Sequence, residues 1–520
     1  MSIVISEVEF GDKEKIIRLV KDSYDSSKNI ITILIGRNGS GKSKLLQKIC
    51  YVHIFSCLNI YDWWYRGSYR SRRIEDLLDY REHQLLKPVD ISGKFIYKID
   101  NKKQCIEINK GKSNIQNIGP YKVFVSGEGL IEGLIRDIPK ILAVSSSPFD
   151  KFPLLDQHRL GDSSNELKDT YKYLGAKTTN QSGKSYIKAK FNQLGASFIN
   201  FFLRAHETKA MLTHLFDYLG LEYKITIQLT FARHFRPEDN RDPSKTVKSA
   251  RIFKDRDHDE ELTLEEREKV LASIEKIRQF MNKDSGRANR HGIDYFFSIE
   301  LDVNNLSSSD PELIENLSVL TSYDLFDLKD IEFTKKGAGS KFLLTEASSG
   351  ELCTLFTIVG IAGEIINSAV ILIDEPEISL HPEWQNDFIP LVKKIFGNYS
   401  GCHFIIATHS AQILSSLGEE NSFVVRMDGE EPTLFDGKEF KSRSSDFQLA
   451  EAFEYPGSRN EYLISELVEI LSLLSEQGEI DEDLKSRIAK ILRFYDLVPK
   501  NDPVSKLIST LKKAIKVLEK

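Results

Sequence analysis

Cysteine is scarce in this sequence, and its five residues are scattered without any Cys-x-x-Cys pair. This pattern argues against a disulfide framework and against a zinc site, because both need several cysteines at close and regular spacing. The first residues carry Glu7 and Glu9 inside an apolar stretch, whereas a secretory signal peptide begins basic and continues apolar. We therefore expect a protein of the reducing cytoplasm.

Long uninterrupted hydrophobic runs are also missing. The most apolar window, 355–373, contains Glu364 and Asn367, which a membrane-spanning helix would have to bury in lipid. A buried helix followed by a buried strand explains this window better. No heptad pattern is sustained over several turns, which excludes a long coiled coil. We expect neither a membrane span nor a membrane partner.

Charge of one sign does not dominate the chain. The net charge is −6, with 28% charged and 41% hydrophobic residues, the composition of a soluble globular protein. This balance excludes a surface that binds nucleic acid everywhere, so any such contact must come from a local patch. A basic face on the last predicted helix offers one, although a merely solvated face has the same pattern. Its lysines are Lys506, Lys512, Lys513, Lys516 and Lys520.

The strongest motif is glycine-rich and follows a short β-branched apolar run at 30–35, which predicts a buried strand. It has the G-x-x-x-x-G-K-S pattern of a phosphate loop, and a predicted helix at 42–57 follows it directly. In such a loop the backbone N–H groups point at phosphate oxygens. We expect Lys42 to bridge the β- and γ-phosphates and Ser43 to ligate Mg²⁺. The candidate nucleotide-binding residues are Gly36, Arg37, Asn38, Gly39, Ser40, Gly41, Lys42 and Ser43.

A second motif combines an apolar run at 369–373, which predicts a buried strand, with Asp374 and Glu375 at its carboxyl end. In an open parallel sheet, ligands bind at that end of the strands. Asp374 is expected to hold Mg²⁺ or its waters, and Glu375 to orient and polarise the attacking water. An isolated strand-end pair of acids usually lies in a solvated loop, but a phosphate loop in the same chain favours the functional interpretation.

Two weaker signals complete the pattern. The first is the sequence Ser348, Ser349, Gly350, Glu351 before an apolar helical pattern, where a serine-glycine turn could form a second anion site. An ordinary serine N-cap explains the same residues. The second signal is His409, which follows an apolar run at 403–407. A lone histidine at a strand end is usually structural, but its position and neighbours favour a functional role.

Taken in their order along the chain, the four motifs resemble the ABC-type ATPase family, which includes the RecF, structural-maintenance and overcoming-lysogenization ATPases. The resemblance covers roughly 1–50 and 335–425, and it is close over 374–385. It implies an α/β fold with a P-loop ATPase core, a mixed sheet flanked by helices, that binds ATP and Mg²⁺. It also implies that Lys42, Glu375 and His409 are catalytic, with His409 sensing the γ-phosphate. In this family the segment matching 348–351 reaches the nucleotide of a second copy, so a homodimer is expected.

The motif positions suggest four regions. Residues 1–120 form the first half of the ATPase core, 121–335 an inserted and mostly helical lobe, 336–440 the second half, and 441–520 a helical extension. Three amphipathic helices are predicted in that extension, near 460–475, 481–496 and 504–519. The glutamine of the family's glutamine loop is not identifiable here, and the vicinity of that loop is expected near 139–153. By position alone, Phe10 and Tyr24 are candidates for stacking on adenine.

The chain contains no recognisable nuclease site, because its last hundred residues lack a Toprim metal pattern and its 11 histidines show no HNH-like grouping. The loop at 143–153 and the helical tail resemble the PtuA family, the ATPases of Septu-type and retron-associated antiphage systems. That resemblance implies a separate HNH nuclease of the PtuB type as partner, and a retron reverse transcriptase with its RNA–DNA as a further one. Two alternatives remain open, namely a RecF-like DNA repair ATPase and a nucleotide-sensing scaffold with little turnover.

Overall fold

The computed structural model describes residues 2–10, 15–66, 93–100, 102–110, 121–127, 139–147, 150–154, 169–175, 186–231, 264–283, 296–305, 311–322, 325–429, 431–477 and 480–518. In these residues the strands are β1 Ile3–Phe10, β2 Lys15–Arg18, β3 Ile30–Ile35, β4 Gly93–Ile99, β5 Lys102–Lys110, β6 Tyr121–Gly127, β7 Ile141–Ser145, β8 Tyr171–Leu174, β9 Lys224–Phe231, β10 Phe296–Asp302, β11 Phe326–Thr334, β12 Lys341–Leu343, β13 Val370–Asp374, β14 His403–Ala407, β15 Ser422–Arg426 and β16 Thr433–Asp436. The α-helices of five or more residues there are α1 Lys42–Arg66, α2 Tyr186–Leu203, α3 Ala205–Leu219, α4 Leu264–Lys283, α5 Pro311–Ser322, α6 Ser349–Glu364, α7 Pro382–Phe396, α8 Ala411–Ser415, α9 Glu461–Gln477, α10 Glu482–Leu492 and α11 Pro503–Leu518.

One central sheet carries the sequence motifs. Its strand order over the described ranges is β16-β15-β3-β14-β13-β7-β8, and neighbouring strands are parallel except for β15 and β16. The three apolar runs predicted as strands are β3, β14 and β13, which lie side by side. Because parallel strands end at the same edge of a sheet, the loops after these three strands meet there.

Burial on both faces explains why these strands are apolar throughout. In β13, Ile371 and Ile373 point into a core shared with α2, α3, α6 and α7. Val370 and Leu372, on the other face, pack in a second core with α1 and the strands β1 and β4. A parallel strand covered on both faces has no position for an exposed polar side chain, so its sequence does not alternate.

The prediction of a mostly helical insertion over 121–335 is wrong. Strands β7 and β8 belong to the central sheet, and β7 pairs directly with β13. Strand β6 extends an antiparallel sheet of order β2-β1-β4-β5-β6, and another antiparallel sheet, β10-β9-β11-β12, also draws on this region. Helices α2 to α5 supply the helical part. Pairing with distant strands decides this architecture, and local periodicity does not report such pairing.

The C-terminal region is helical, as predicted, and α9, α10 and α11 lie at the three expected places. They pack around a hydrophobic cluster of their own, separate from the two cores of the central sheet. The side chain of Asp481 caps α10 by accepting a hydrogen bond from the N–H of Leu484. Pro503 begins α11, where its missing N–H costs no helical hydrogen bond. This region is thus a small helical unit.

The apolar window at 355–373 is a buried helix followed by a buried strand, which confirms the prediction. Helix α6 ends at Glu364, and its carboxylate forms an ion pair with Lys140 at 2.8 Å. Across the parts of the chain that the structure describes, no helix has both the length and the apolar character needed to cross a lipid bilayer.

A buried histidine at the start of β14 makes the stability of the core depend on pH. His403 Nε2 lies 2.9 Å from Thr32 Oγ1, and the Thr32 hydroxyl donates to the carbonyl of Leu19, so Nε2 carries the hydrogen. Burial lowers the pKa of His403 to about 3. Because an unfolded histidine titrates near 6.5, acid protonates the unfolded chain first. Stability should fall as the pH drops from 6.5 towards 3, by up to about 1.4 kcal/mol per pH unit.

The variant His403→Gln should lose less stability in acid, because glutamine keeps an N–H donor for Thr32 and does not titrate. The measurement is the urea midpoint of the wild type and the variant at pH 7.5 and pH 5.0. Asn398→Gln, at an exposed residue that does not titrate, is the control, and it should keep the wild-type pH dependence. Equal pH dependence in all three proteins would show that His403 does not titrate differently on folding.

Candidate nucleotide-binding site

The phosphate loop connects β3 to α1 in a tight turn that requires glycine. Gly36, Gly39 and Gly41 have φ angles of +150°, +85° and +99°, which residues with a Cβ rarely adopt. A Cβ on Gly36 would lie 2.7 Å from Ser40 Oγ, and a Cβ on Gly41 would lie 2.9 Å from the ring of Phe10. The loop therefore curls just before α1, and the N–H groups at the start of this helix form a site suited to an anion.

The side chain of Lys42 folds back over this loop. Its Nζ donates to the carbonyl oxygen of Gly36 at 2.8 Å and to that of Arg37 at 3.3 Å. Burial lowers the pKa of Lys42, and the negative charges of Asp428, Glu375 and Asp374 partly oppose this effect. A buried amine held only by neutral carbonyl oxygens is well placed to meet an anionic group.

The structure joins the phosphate loop to the strand-end acid. Ser43 Oγ donates a hydrogen bond of 2.9 Å to Asp374 Oδ1. Asp374 ends β13, between β14 and β7, and its side chain is buried. Burial raises the pKa of Asp374 to about 7, and the nearby carboxylates of Glu375 and Asp150 add to the rise, against the hydrogen bond from Ser43. A buried carboxyl group surrounded by acids is a position where a cation stabilises the ionised form.

These residues fit Mg²⁺. Over the residues that the structure places, no group of three or more His, Cys, Asp or Glu side chains could hold a metal ion. Magnesium is usually bound by one or two protein oxygens together with phosphate and water, and Ser43 and Asp374 provide that number. The sequence prediction named the same two residues, and the structure brings them into contact.

Glu375 and His409 stand at the same edge of the sheet. Glu375 follows Asp374 with a φ of +51°, and its N–H donates to the carbonyl of Ala407 at 2.9 Å. His409 Nε2 lies 3.9 Å from Glu375 Oε1, and each side chain is about one-third exposed, at 33% and 35%. Burial and the charge of Lys42 lower the pKa of His409, against the opposite effect of Glu375. The imidazole is therefore neutral at neutral pH, and the Glu375 carboxylate faces solvent beside it.

The predicted second anion site is a helix start with a complete cap. Ser348 Oγ accepts from the N–H of Glu351, and the Glu351 carboxylate accepts from the N–H of Ser348 at 2.9 Å. That carboxylate also forms an ion pair with Lys335. Burial opposes ionisation of Glu351, but the hydrogen bonds from Lys335 and Ser348 outweigh it and lower the pKa. Glu351 thus serves the helix end, and Ser348 and Ser349 remain exposed.

Gly350 places this helix start beside the segment that follows β13. A Cβ on Gly350 would lie 3.3 Å from the carbonyl oxygen of Ser379 and 3.3 Å from the ring of Trp384. One turn further along α6, Cys353 Sγ lies 3.8 Å from the carbonyl oxygen of Pro376. The amino end of α6 is therefore at the same edge of the sheet as the phosphate loop, next to the loop after the strand-end acids.

The sequence motifs do not identify two further acids at this edge of the sheet. Asp428, after β15, accepts the N–H of Arg37 with both carboxylate oxygens, at 2.9 and 2.8 Å. Glu377 accepts the N–H of His409 at 2.6 Å and the hydroxyl of Thr408 at 2.8 Å. Each follows a buried strand closely, the same signal that identified Asp374. Arg37 and Asn38 have exposed side chains, so these two residues contribute to the loop through their backbone.

The remaining predictions from position concern the segment after β7, Phe10 and Tyr24. Ser145 pairs with Asp374 in the β7–β13 register, so the segment after β7 lies beside the predicted Mg²⁺ site, in the vicinity expected for a glutamine loop. Phe10 covers the phosphate loop at Gly41. Tyr24 as an adenine-stacking residue is wrong, because its ring is buried with Ile30 at the opposite end of β3.

This arrangement defines a P-loop nucleotide-binding fold of the mixed α/β type. The chain belongs to the family described as "AAA domain, putative AbiEii toxin, Type IV TA system", whose sequence profile matches residues 153–415. The matched range includes the helix start at Ser348, the acids Asp374 and Glu375, and His409. The phosphate loop lies before it.

A short segment is similar to a curated protein. The chain is 36% identical over 59 residues to the Retron Ec83 probable ATPase of Escherichia coli, which is 11% of this chain and 10% of that protein. The match therefore spans only a tenth of the relative's length. Among solved structures, the Smc head domain of Pyrococcus furiosus bound to the C-terminal domain of ScpA has a TM-score of 0.32 and 12% identity, covering 84% of this chain and 96% of that one. The Thermotoga maritima SMC head domain has a TM-score of 0.32 and 12% identity, with coverage of 84% and 99%.

Proposed function

We propose that this chain is an ATPase that binds ATP with Mg²⁺ and hydrolyses the bond between the β- and γ-phosphates. The observation that carries the proposal is the 2.9 Å hydrogen bond from Ser43 Oγ to Asp374 Oδ1, which joins the phosphate loop to the strand-end acid across 331 residues. Both groups are ordinary Mg²⁺ ligands, and a general-base candidate, Glu375, is the next residue.

Each residue then has a distinct task. The N–H groups of the phosphate loop and the amine of Lys42 hold the phosphates, with Lys42 leaving the carbonyl of Gly36 to do so. Ser43 and Asp374 would hold Mg²⁺, which would supply positive charge to stabilise the phosphate oxygens. Glu375 accepts a proton from the attacking water, and the neutral His409 donates a hydrogen bond towards the γ-phosphate.

The site is completed by a second copy in this proposal. Within one chain, the atoms nearest to a Cβ on Gly350 belong to Ser379 and Trp384. Ser348 and Ser349 are exposed at the amino end of α6, where backbone N–H groups and the helix dipole favour an anion. A head-to-tail dimer would set this helix start over the γ-phosphate bound by the partner chain.

For the biological role we propose an antiphage defence effector of the Septu or retron type. The family profile and the short similarity to a retron ATPase support this role, and they concern the ATPase part of such systems. Hydrolysis in this chain would control a separate HNH nuclease of the PtuB type, and a retron reverse transcriptase with its RNA–DNA would be a further partner. Closing and reopening of the ATPase dimer is the motion that would reach the nuclease.

Co-purification tests this role. Tagged wild-type protein is expressed together with its genomic neighbours, and the recovered complex is identified by mass spectrometry. A stoichiometric HNH-type protein supports the defence role. Recovery of repair factors alone, with turnover that DNA stimulates, would favour a RecF-like repair ATPase. Either result leaves the ATPase proposal intact, because that rests on the site and is tested by turnover.

A further inference from the structure

The segment that carries His409 is hydrogen-bonded to the loop after the strand-end acids. We call residues 408–410 the switch segment. Glu377 binds it with both carboxylate oxygens: Oε1 accepts the N–H of His409 at 2.6 Å, and Oε2 accepts the hydroxyl of Thr408 at 2.8 Å. The Thr408 oxygen in turn accepts the N–H of Ser410 at 3.0 Å. One side chain thus fixes the backbone on both sides of the His409 Cα.

A second side chain, from the helix that follows this loop, holds the far end of the switch segment. Gln385, on α7, accepts the hydroxyl of Ser410 at 2.7 Å and donates to the carbonyl of Leu380 at 2.9 Å. Ser410 also caps α8 by accepting the N–H of Ile413. Because Gln385 supports the end of the segment, loss of Glu377 alone should release the backbone at His409 and leave α8 in place.

A glutamate at position 377 is energetically unfavourable unless its carboxylate accepts hydrogen bonds. Glu377 is half-buried, and a carboxylate removed from water is unfavourable unless hydrogen-bond donors satisfy its oxygens. The structure assigns both oxygens to the switch segment. Glu375, two residues earlier, points to the His409 ring at 3.9 Å from Nε2. Glu377 therefore fixes the backbone of His409, and Glu375 lies near the ring of the same histidine.

We propose that Glu377 is a positioning residue that sets the orientation of His409 towards the γ-phosphate. The inference rests on the proposed ATPase function. Glu377 acts through the His409 backbone: the two hydrogen bonds described for its carboxylate go to the switch segment, and its charge is only a minor influence on Asp374 and Lys42. Its loss should therefore reduce turnover and leave the affinity for ATP nearly unchanged.

The first test is the variant Glu377→Gln, which keeps the shape and loses one of the two acceptor contacts. We expect kcat to fall about 10-fold, and about 100-fold in Glu377→Ala, since small errors in the position of a catalytic group cost this much. KM for ATP should stay within about twofold. The matched control is Glu482→Gln, the same chemical change on α10, where the side chain is 91% exposed. A proportional loss of ATP affinity in Glu377→Gln would overturn the proposal.

A double-mutant cycle tests whether the effect passes through His409. In a His409→Ala background, the added change Glu377→Gln should lower kcat by less than about twofold, because the group that it positions is already gone. A merely structural role would lower kcat again by the full factor, and that outcome would overturn the proposal. Equal thermal midpoints of the variants and the wild type show that the comparison is made between folded proteins.

A measurement without turnover separates this inference from the ATPase proposal. With histidine labelled at Cε1, the His409 signal in the ¹H–¹³C spectrum is assigned by its absence in His409→Ala. This signal should shift in Glu377→Gln and keep its position in Glu482→Gln. An unchanged signal in both variants would overturn the positioning role even if the wild type hydrolyses ATP. A shifted signal in a protein that does not hydrolyse ATP would support the positioning contact and reject the ATPase proposal.

Discussion

Replacing Glu375 with glutamine is expected to lower the rate of ATP hydrolysis by at least about 100-fold, because a positioned general base contributes about 10²- to 10⁴-fold. The carboxylate is one-third exposed at the edge of the sheet and next to the buried Asp374, so it can accept a proton from a water that attacks the γ-phosphate. Glutamine fills the same space but has no such basicity. Binding of ATP should persist, since Lys42, Ser43 and Asp374 are untouched.

The measurement is steady-state phosphate release at saturating ATP and Mg²⁺, together with the affinity for a fluorescent ATP analogue. Glu419→Gln, a substitution at an exposed side chain that pairs with Lys441, is the control and should keep the wild-type rate. A Glu375→Gln protein that retains more than a tenth of the wild-type rate would exclude Glu375 as the general base. Equal behaviour of wild type and variant in binding, assembly and biological function would instead support a nucleotide-sensing scaffold.

The same variant also reports on the dimer. If two copies close on ATP and reopen after hydrolysis, a protein that binds ATP and hydrolyses it slowly should accumulate in the closed dimer. Light scattering should then give the mass of a dimer for Glu375→Gln with ATP and Mg²⁺, and a smaller mass without nucleotide. A mass that does not respond to ATP would reject the ATP-clamped dimer, whereas the role of Glu375 would still be decided by the rate.

The central strands could be predicted because their sequences record their surroundings. A run such as Ile371 to Ile373 is apolar at every position only when both faces of the strand are covered, and local composition is enough to see this. The phosphate loop is equally local, since its glycines and Lys42 follow one another in the chain. Fold class and the main motifs were therefore accessible without coordinates.

The rest could not be predicted because it depends on contacts between distant residues. Strand β7 pairs with β13, and nothing near Ile141 in the sequence points to Val370. For the same reason, the local pattern of the region 121–335 favours a helical insertion and does not reveal its strands. The same reason hides Glu377 and Asp428, whose tasks are set by a backbone N–H on another loop. When a carboxylate lies next to a motif, the sequence does not show whether the side chain faces solvent or accepts a hydrogen bond from a buried backbone N–H.

Replacing Lys42 with alanine is expected to weaken ATP binding by roughly 30- to 4,000-fold and to abolish measurable hydrolysis. Removing one partner of a buried charge pair costs about 2–5 kcal/mol, and each 1.4 kcal/mol is a factor of ten in affinity. Without the amine, the phosphates would be desolvated in the loop without the positive charge of Lys42. The adjacent Lys44→Ala is a matched control, because its side chain is exposed.

Thermal unfolding distinguishes lost binding from lost folding in Lys42→Ala. In the absence of nucleotide, the hydrogen bonds described for the buried amine go to the carbonyls of Gly36 and Arg37, and burial already lowers its pKa, so its removal should leave the midpoint nearly unchanged. A ligand at 100 times its Kd stabilises a folded protein by about 2.7 kcal/mol. Wild type and Lys44→Ala should show this gain with ATP and Mg²⁺, and Lys42→Ala should not. An undiminished gain in Lys42→Ala would mean that ATP binds elsewhere, and the phosphate-loop assignment would fall with it.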